Sequence, residues 1–194
     1  MHNTKNTNRR IESTKAYIDA LSANYSKLNM VRVDLGYKKL HSNTITIEQA
    51  NQDIEHMYRN KRSKPNIFQH LVGYLIKKEY TPDRGVHFHT LFIFDGQKIQ
   101  RDTFKGDQIG EYWKQTMQDR GSYHNCNRDT YRENGIGMLN HDDNDKRKIL
   151  DENVIPYLCK EDQSITAIAE GEKVKSLIRG TMPKKKGNRG RPRG

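Results

Sequence analysis

Two histidines stand at i and i+2 in "GVHFHTLFIFD", residues 85–95. Strand side chains alternate faces, so His87 and His89 share one side with Leu91 and Ile93. Val86, Phe88, Thr90, Phe92 and Phe94 take the other side, and two apolar faces mark a central strand. Neutral imidazole is the commonest metal-binding side chain, and two on one strand face can aim at one ion. A divalent ion needs further ligands. "TPDRG" is a strong turn signal between strands read over 70–80 and 85–95. With Pro82, Asp83 and Arg84 as the loop, Thr81 pairs with Gly85. Glu79 then lies opposite His87 on the same face, about 5 Å away by Cβ. Two imidazoles and a carboxylate with open positions suit Mn²⁺ or Mg²⁺ holding a phosphate oxygen. Lys77 falls opposite His89, unhelpful to a cation unless it leans toward substrate. Asp34 is the alternative third ligand, since the first strand could lie beside the histidines. His124 and Cys126 offer further metal-binding atoms, but a structural zinc site would use more thiolates at closer spacing.

"VIPYLCKED" supplies a nucleophile. On a helix, positions i and i+3 share a face, so Tyr157 and Lys160 would project together. A phenol titrates near 10, and an adjacent ammonium together with a polarised phosphorus centre favours attack by the phenolate. Y-x-x-K alone is commonplace; its weight here comes from co-occurrence with H-x-H.

Several elements must position these groups. Residues 9–28 read as an amphipathic helix with Ile11, Ala16, Ile18 and Leu21 as apolar positions. "NMVRVDLGYKK" alternates, with Val31, Val33 and Leu35 opposed to Arg32 and Asp34. "TITIEQANQDIEHMYRNKRSK" is a helix capped by Thr46, with Gln49 three residues on. "TFKGDQIGEYWKQTMQDRG" is a helix in which Trp113 reads as core. "GSYHNCNRDTYRENGIGMLNHDD" is loop with at least one short strand near residues 136–139. "NDKRKILDENVIPYLCKEDQSI" is helical, with Pro156 as a break or a start.

The chain has 194 residues, 32% of them hydrophobic, and a formal net charge of +11. It fits one domain with a polar surface and a polyanionic partner, most often nucleic acid. No stretch is long and apolar enough for a transmembrane helix, and "MHNTKNTNRRIESTK" lacks the apolar core of a secretory signal. Two cysteines far apart, Cys126 and Cys159, fit a reducing cytoplasm. From Pro183 to Gly194 there are six basic residues and no acid: Lys184, Lys185, Lys186, Arg189, Arg191 and Arg193. Such a tail buries nothing and is expected to be disordered when free. "RGRPRG" resembles an AT-hook core, suited to a narrow minor groove; a generic phosphate-binding tail is the simpler reading.

The succession E-x7-H-F-H and Y-x-x-K resembles the HUH endonucleases, replication initiators and relaxases that nick single-stranded DNA. More closely, the order "VRVDLGY", "EYTPDRGVHFHTLFIFDG", "IGEYWKQTM", "GSYHNCN", "GIGML" and "YLCKEDQ" resembles the inovirus Gp2 / YagK-YfjJ type of replication endonuclease. The resemblance spans roughly residues 28–182 and leaves residues 1–27 as an N-terminal helical segment and 183–194 as the basic tail. It implies an α+β fold: a ferredoxin-like (RRM-like) central antiparallel sheet of about five strands with flanking helices. It also implies that a metal held by His87, His89 and a carboxylate grips the scissile phosphate. Tyr157 would attack in line, leaving a 5′-phosphotyrosine and a free 3′-OH, with Lys160 orienting the phosphate or stabilising its charge. Lys77, Arg84 and the tail would contact DNA.

The expected role is to start rolling-circle replication of a phage, satellite or plasmid in the cytoplasm of a bacterial host cell. The same nicking chemistry could serve a mobile element against a competing phage genome. A non-catalytic RRM-like nucleic-acid binder is the alternative of another class. Many initiators carry a second tyrosine close to the first; here the nearest upstream is Tyr131. No G-x-x-x-x-G-K-[ST] occurs, so a separate helicase and polymerase are implied. A monomer or weak dimer is expected.

Overall fold

The computed structural model describes residues 2–160, 165 and 175–184. In chain order the elements are α1 (His2–Ser22), β1 (Lys27–Tyr37), a single turn α2 (Lys39–Ser42) and α3 (Ile47–Arg59). A second single turn, α4 (Pro65–Phe68), leads into β2 (Leu71–Thr81), β3 (Gly85–Asp95), α5 (Asp102–Thr116) and β4 (Gly121–Asn125). β5 (Gly137–Asn140), α6 (Asn144–Ile149), α7 (Ile155–Cys159) and β6 (Leu177–Arg179) follow.

The run from β1 to β4 is β-α-β-β-α-β, and the sheet order is β4-β1-β3-β2-β6 with β5 also on β1. Every pairing is antiparallel. This is the ferredoxin-like arrangement expected from the sequence. Among the described residues six strands form where about five were expected. β6 adds to the β2 edge, and β4 and β5 share the β1 edge.

Each face of the sheet has its own core. Val31, Val33, Leu35, Phe88, Phe92 and Phe94 pack under α3 and α5, together with Ile54, Ile109 and Trp113. Trp113 is fully buried, and its indole donates to the Gly36 carbonyl at 2.7 Å, so it is core as expected. On the other face Leu28, Met30, Leu75, Leu91 and Ile93 pack against α1 and α7. The buried stripe of α1 is Thr14, Tyr17, Ile18 and Leu21, spaced i, i+3, i+4, i+7, and Ala16 lies outside it. At α3 the Thr46 hydroxyl accepts from the Gln49 amide at 3.2 Å, the cap read from the sequence.

The second face changes character along its length. Beyond Met30, Leu91 and Leu75 the same alternation delivers Arg32 and Asp34, His89 and His87, and Lys77 and Glu79. α1 and α7 cover the apolar half and stop there. The polar half is framed by the β2–β3 hairpin and by a seam on β1. β5 pairs with residues 27–30 of β1 and β4 with 33–37. Between them the Asn127 side chain stands in for a strand: its Oδ1 accepts from Arg32 N at 2.7 Å, and its Nδ2 donates to Met30 O at 3.0 Å.

Candidate active site

The hairpin register fixes most of the site. Thr81 pairs with Gly85, Glu79 with His87 and Lys77 with His89, as the turn reading required. Gly85 closes the turn at φ +65°, and a Cβ there would lie 2.3 Å from the Ser42 carbonyl oxygen. Only glycine fits both demands. Its carbonyl, in turn, lies 2.9 Å from His87 Nδ1. A carbonyl can only accept, so Nδ1 carries the proton and the Nε2 lone pair is free.

β1 lies beside β3 and pairs Asp34 with His89. Asp34 Oδ2 is 2.9 Å from His89 Nδ1, which orients the ring and again leaves Nε2 facing the cleft. His89 Nε2 is 2.7 Å from Glu79 Oε2, and His87 Nε2 is 4.0 Å from the same oxygen. Glu79, His87 and His89 thus offer one ligand atom each to a common point, within 4.8 Å of one another. Two neutral-imidazole nitrogens and a carboxylate oxygen form a donor set that fits a divalent cation. The structure separates the rivals for third ligand: Glu79 faces the Nε2 atoms, while Asp34 sits behind His89.

The charges agree with this arrangement. The hydrogen bond from His89, strengthened by the Lys77 ammonium, outweighs burial and holds Glu79 down at about 2. Burial alone would lower His89, but its bonds to Asp34 and Glu79 outweigh it and set it above its ordinary value. Burial lowers His87, helped by the positive charges of Arg84 and His89. Asp34 lies below its usual range because the His89 and Arg32 interactions overcome its burial.

Tyr157 reaches the same point from α7. Its hydroxyl is 3.0 Å from His89 Nε2. A π-helical turn, Leu150–Val154, precedes α7, and Pro156 sits in the first turn of α7, where its missing N–H costs no bond. Leu158 and Cys159 anchor the helix in the core, leaving Tyr157 at the rim, 40% exposed. Burial and the Asp34 and Glu79 carboxylates raise its phenol above the ordinary value, against the opposing charges of Arg32 and Arg84.

Lys160 caps α7, which ends at Cys159: its amide still donates to the Pro156 carbonyl at 3.0 Å and φ −56° is helical, while ψ 130° turns the chain away after it. Its side chain is exposed and makes no hydrogen bond or ring contact with Tyr157 among the described residues. The cations beside Tyr157 are others. Lys77 Nζ lies 5.0 Å from the ring centroid and 3.3 Å from Glu79 Oε2. The Arg32 guanidinium lies 4.7 Å over the same ring. Lys77 was read as a DNA contact, yet it is buried and directed at Glu79 and Tyr157. Arg32 was not singled out, although its place on the Asp34 face of β1 was the available signal. Arg84 is exposed in the turn.

Tyr131 is not at this point: its hydroxyl bonds Cys126 O at 3.1 Å and Asp129 Oδ2 at 3.2 Å. His124, Cys126 and Asp129 form a second group with metal-ligand spacing. There His124 Nε2 is 2.8 Å from Asp129 Oδ2, and burial pushes the Cys126 thiol up to about 12. Lys184 offers its carbonyl to Asn24 Nδ2 at 3.0 Å. Lys185, Lys186, Arg189, Arg191 and Arg193, with the AT-hook-like motif, lie outside the described residues. No helix among the described residues is long and apolar enough to cross a membrane.

The family model described as YagK/YfjJ C-terminal domain matches residues 1–173. The chain belongs to the YagK/YfjJ C-terminal domain family. The match takes in α1 and strands β1 to β5 and reaches past Tyr157, so Asp34, Glu79, His87, His89 and Tyr157 fall within it, while β6 lies beyond. No curated protein and no solved structure matches the chain.

Proposed function

We propose that this protein is a metal-dependent, HUH-type endonuclease that nicks single-stranded or locally melted DNA through Tyr157. The observation that carries the reading is the 3.0 Å approach of the Tyr157 hydroxyl to His89 Nε2, the nitrogen that also faces Glu79. A nucleophile thus stands against a metal-type donor set on the open half of a sheet, in a chain of net charge +11.

His87, His89 and Glu79 would hold Mn²⁺ or Mg²⁺, with Asp34 fixing the His89 ring from behind. The bound cation would polarise a phosphate oxygen and supply positive charge at the reacting centre. Tyr157 forms a bond from its phenolic oxygen to phosphorus as the bond from phosphorus to the 3′ oxygen breaks. The phenol gives up one proton and the departing 3′ oxygen gains one. The products are a 5′-phosphotyrosine and a free 3′-OH, which can prime synthesis, and the ester linkage is conserved for later rejoining. Arg32 and Arg84 oppose the rise that burial, Asp34 and Glu79 impose on the Tyr157 phenol, and the bound cation would oppose it further. Lys77 and Arg32 lie against the ring, a contact Lys160 does not make. Initiation of rolling-circle replication by a phage, satellite or plasmid is the use that fits, with helicase and polymerase from elsewhere and the basic C-terminus adding phosphate contacts.

The test is direct. Full-length protein is incubated with origin-derived single-stranded DNA and Mn²⁺ and run on a denaturing gel. A covalent adduct is expected, and Tyr157→Phe removes it while leaving the fold intact. An adduct that survives Tyr157→Phe moves the nucleophile elsewhere. No cleavage of any such strand leaves a nucleic-acid binder. Mapping the nicks shows whether the target is the element's own origin or a foreign genome.

A further inference from the structure

A second cluster of metal-binding atoms lies at the end of β4, off the candidate active site. His124, Cys126 and Asp129 follow one another as H-x-C-x2-D. Asn125 has extended backbone, so His124 and Cys126 project to the same side. The short turn Cys126–Arg128 then brings Asp129 back beside them. One ligand atom from each lies within 4.8 Å of the other two, and His124 Nε2 is 2.8 Å from Asp129 Oδ2. Cys126 is buried and in no disulfide, whereas His124 and Asp129 are exposed. An ion can therefore enter from solvent past the imidazole and the carboxylate. A surface ion pair accounts for His124 and Asp129 but gives no reason for a thiol in the same group.

The turn is pinned on both sides. Asn125 Oδ1 accepts from Asn127 N at 3.1 Å, and Asn125 Nδ2 donates to Thr103 O and to Asp107 Oδ1, each at 2.8 Å. Asn127 is fastened to β1 through Arg32 N and Met30 O. Tyr131 Oη lies 3.2 Å from Asp129 Oδ2, which gives the carboxylate an orienting partner.

Donor chemistry and distance separate this cluster from Glu79, His87 and His89. A thiolate favours Zn²⁺ over the hard ions Mn²⁺ and Mg²⁺. One thiolate is too few for a closed structural zinc site, but three protein ligands with an open position are a known zinc geometry. The register sets His89 opposite Asp34 and Asp34 opposite His124, a row across β3, β1 and β4. Two strand spacings of about 4.8 Å put the clusters roughly 10 Å apart. Ions that share one phosphate stand only about 4 Å apart, so the second cluster does not join the first in two-metal chemistry. What it can control is the turn, because Asn127 holds the backbone of Arg32 and the Arg32 guanidinium lies over the Tyr157 ring.

We propose that His124, Cys126 and Asp129 bind Zn²⁺ as a second, thiolate-selected site that clamps the turn after β4. The thiol gives its proton to solvent on coordination, and water takes the open position. The proposal goes beyond the nuclease reading and does not depend on it.

The test uses the full chain, reduced with a phosphine, stripped by chelator and titrated with Co²⁺. Ligation by a thiolate gives cobalt a near-ultraviolet charge-transfer band. The band is expected to saturate at one equivalent, to bleach on addition of Zn²⁺ and to withstand excess Mg²⁺. It should persist in the double variant His87→Ala, His89→Ala and disappear in Cys126→Ser. No band in the wild type overturns the proposal. So does a band that survives Cys126→Ser, or one that is lost with His87 and His89. If Cys126→Ser fails to fold, the two exposed ligands decide. In the His87→Ala, His89→Ala background, His124→Ala and Asp129→Ala should each weaken Zn²⁺ binding at least about tenfold, read by competition with a chromophoric chelator, at unchanged Tm of the metal-free protein. Unaltered affinity in either variant overturns the proposal equally. None of these readouts involves DNA, so a failure to nick and a failure of this site are told apart.

Discussion

Asp34 Oδ2 lies 2.9 Å from Nδ1 of His89, on the side of the ring away from Glu79. One carboxylate therefore orients the imidazole from behind and the other meets its Nε2 on the cleft side. Removing the orienting group loosens a ligand without deleting it. Asp34→Ala is expected to weaken Mn²⁺ binding by about 10–100-fold. Glu79→Ala removes a donor atom and should cost more than Asp34→Ala. Isothermal titration calorimetry on the two variants checks the order, and the reverse order would make Asp34 the third ligand.

Metal binding and protonation compete at His89. Its folded value is raised above 6.5, so the imidazolium stabilises the metal-free protein below about that pH. That contribution is lost as pH rises through the raised value. Mn²⁺ needs the neutral ring, so affinity should rise with pH over the same window, by up to about tenfold per unit for one competing proton. Titrations at about pH 6 and about pH 8 read the affinity, and urea melts of chelated protein read the opposite trend in stability. A pH-independent affinity would place the metal away from His89.

Lys77 and Lys160 should separate cleanly. Lys77→Met keeps the packing but removes the charge beside Glu79 and Tyr157. Adduct formation should slow by about 100-fold, the cost of losing one positioned donor in a shielded site. Lys160→Ala, at an exposed helix end, should leave the rate close to wild type. Single-turnover assays with a labelled strand measure both. A large effect at Lys160 alone would restore the role read from Y-x-x-K.

Gly85→Ala should be costly for its size. The left-handed backbone and the 2.3 Å approach to Ser42 O both oppose a methyl group. About 1–3 kcal/mol of destabilisation is expected from the strain, read as a lowered urea midpoint. Mn²⁺ affinity should fall as well, because the Gly85 carbonyl fixes the His87 tautomer. Wild-type stability in the variant would show that the turn can rearrange freely.

Much of this protein is written locally. Alternation in β1, β2 and β3, the TPDRG turn and the Thr46 cap are short-range features, and pairing across a tight hairpin follows from arithmetic. That is why Glu79 opposite His87, and Lys77 opposite His89, could be read before any fold was known. The fold class was legible for the same reason, since the β-α-β-β-α-β order is carried by periodicity. The sequence could not divide the work between Glu79 and Asp34, because that depends on which ring nitrogen each carboxylate meets. Nor could it show that α7 stops at Cys159, where the backbone of Lys160 turns extended once the apolar anchor residues run out. Hydrogen-bond direction and helix termination are settled by packing across the sheet. Tertiary structure alone therefore brought Arg32 and Lys77 against the Tyr157 ring and ended α7 at Cys159.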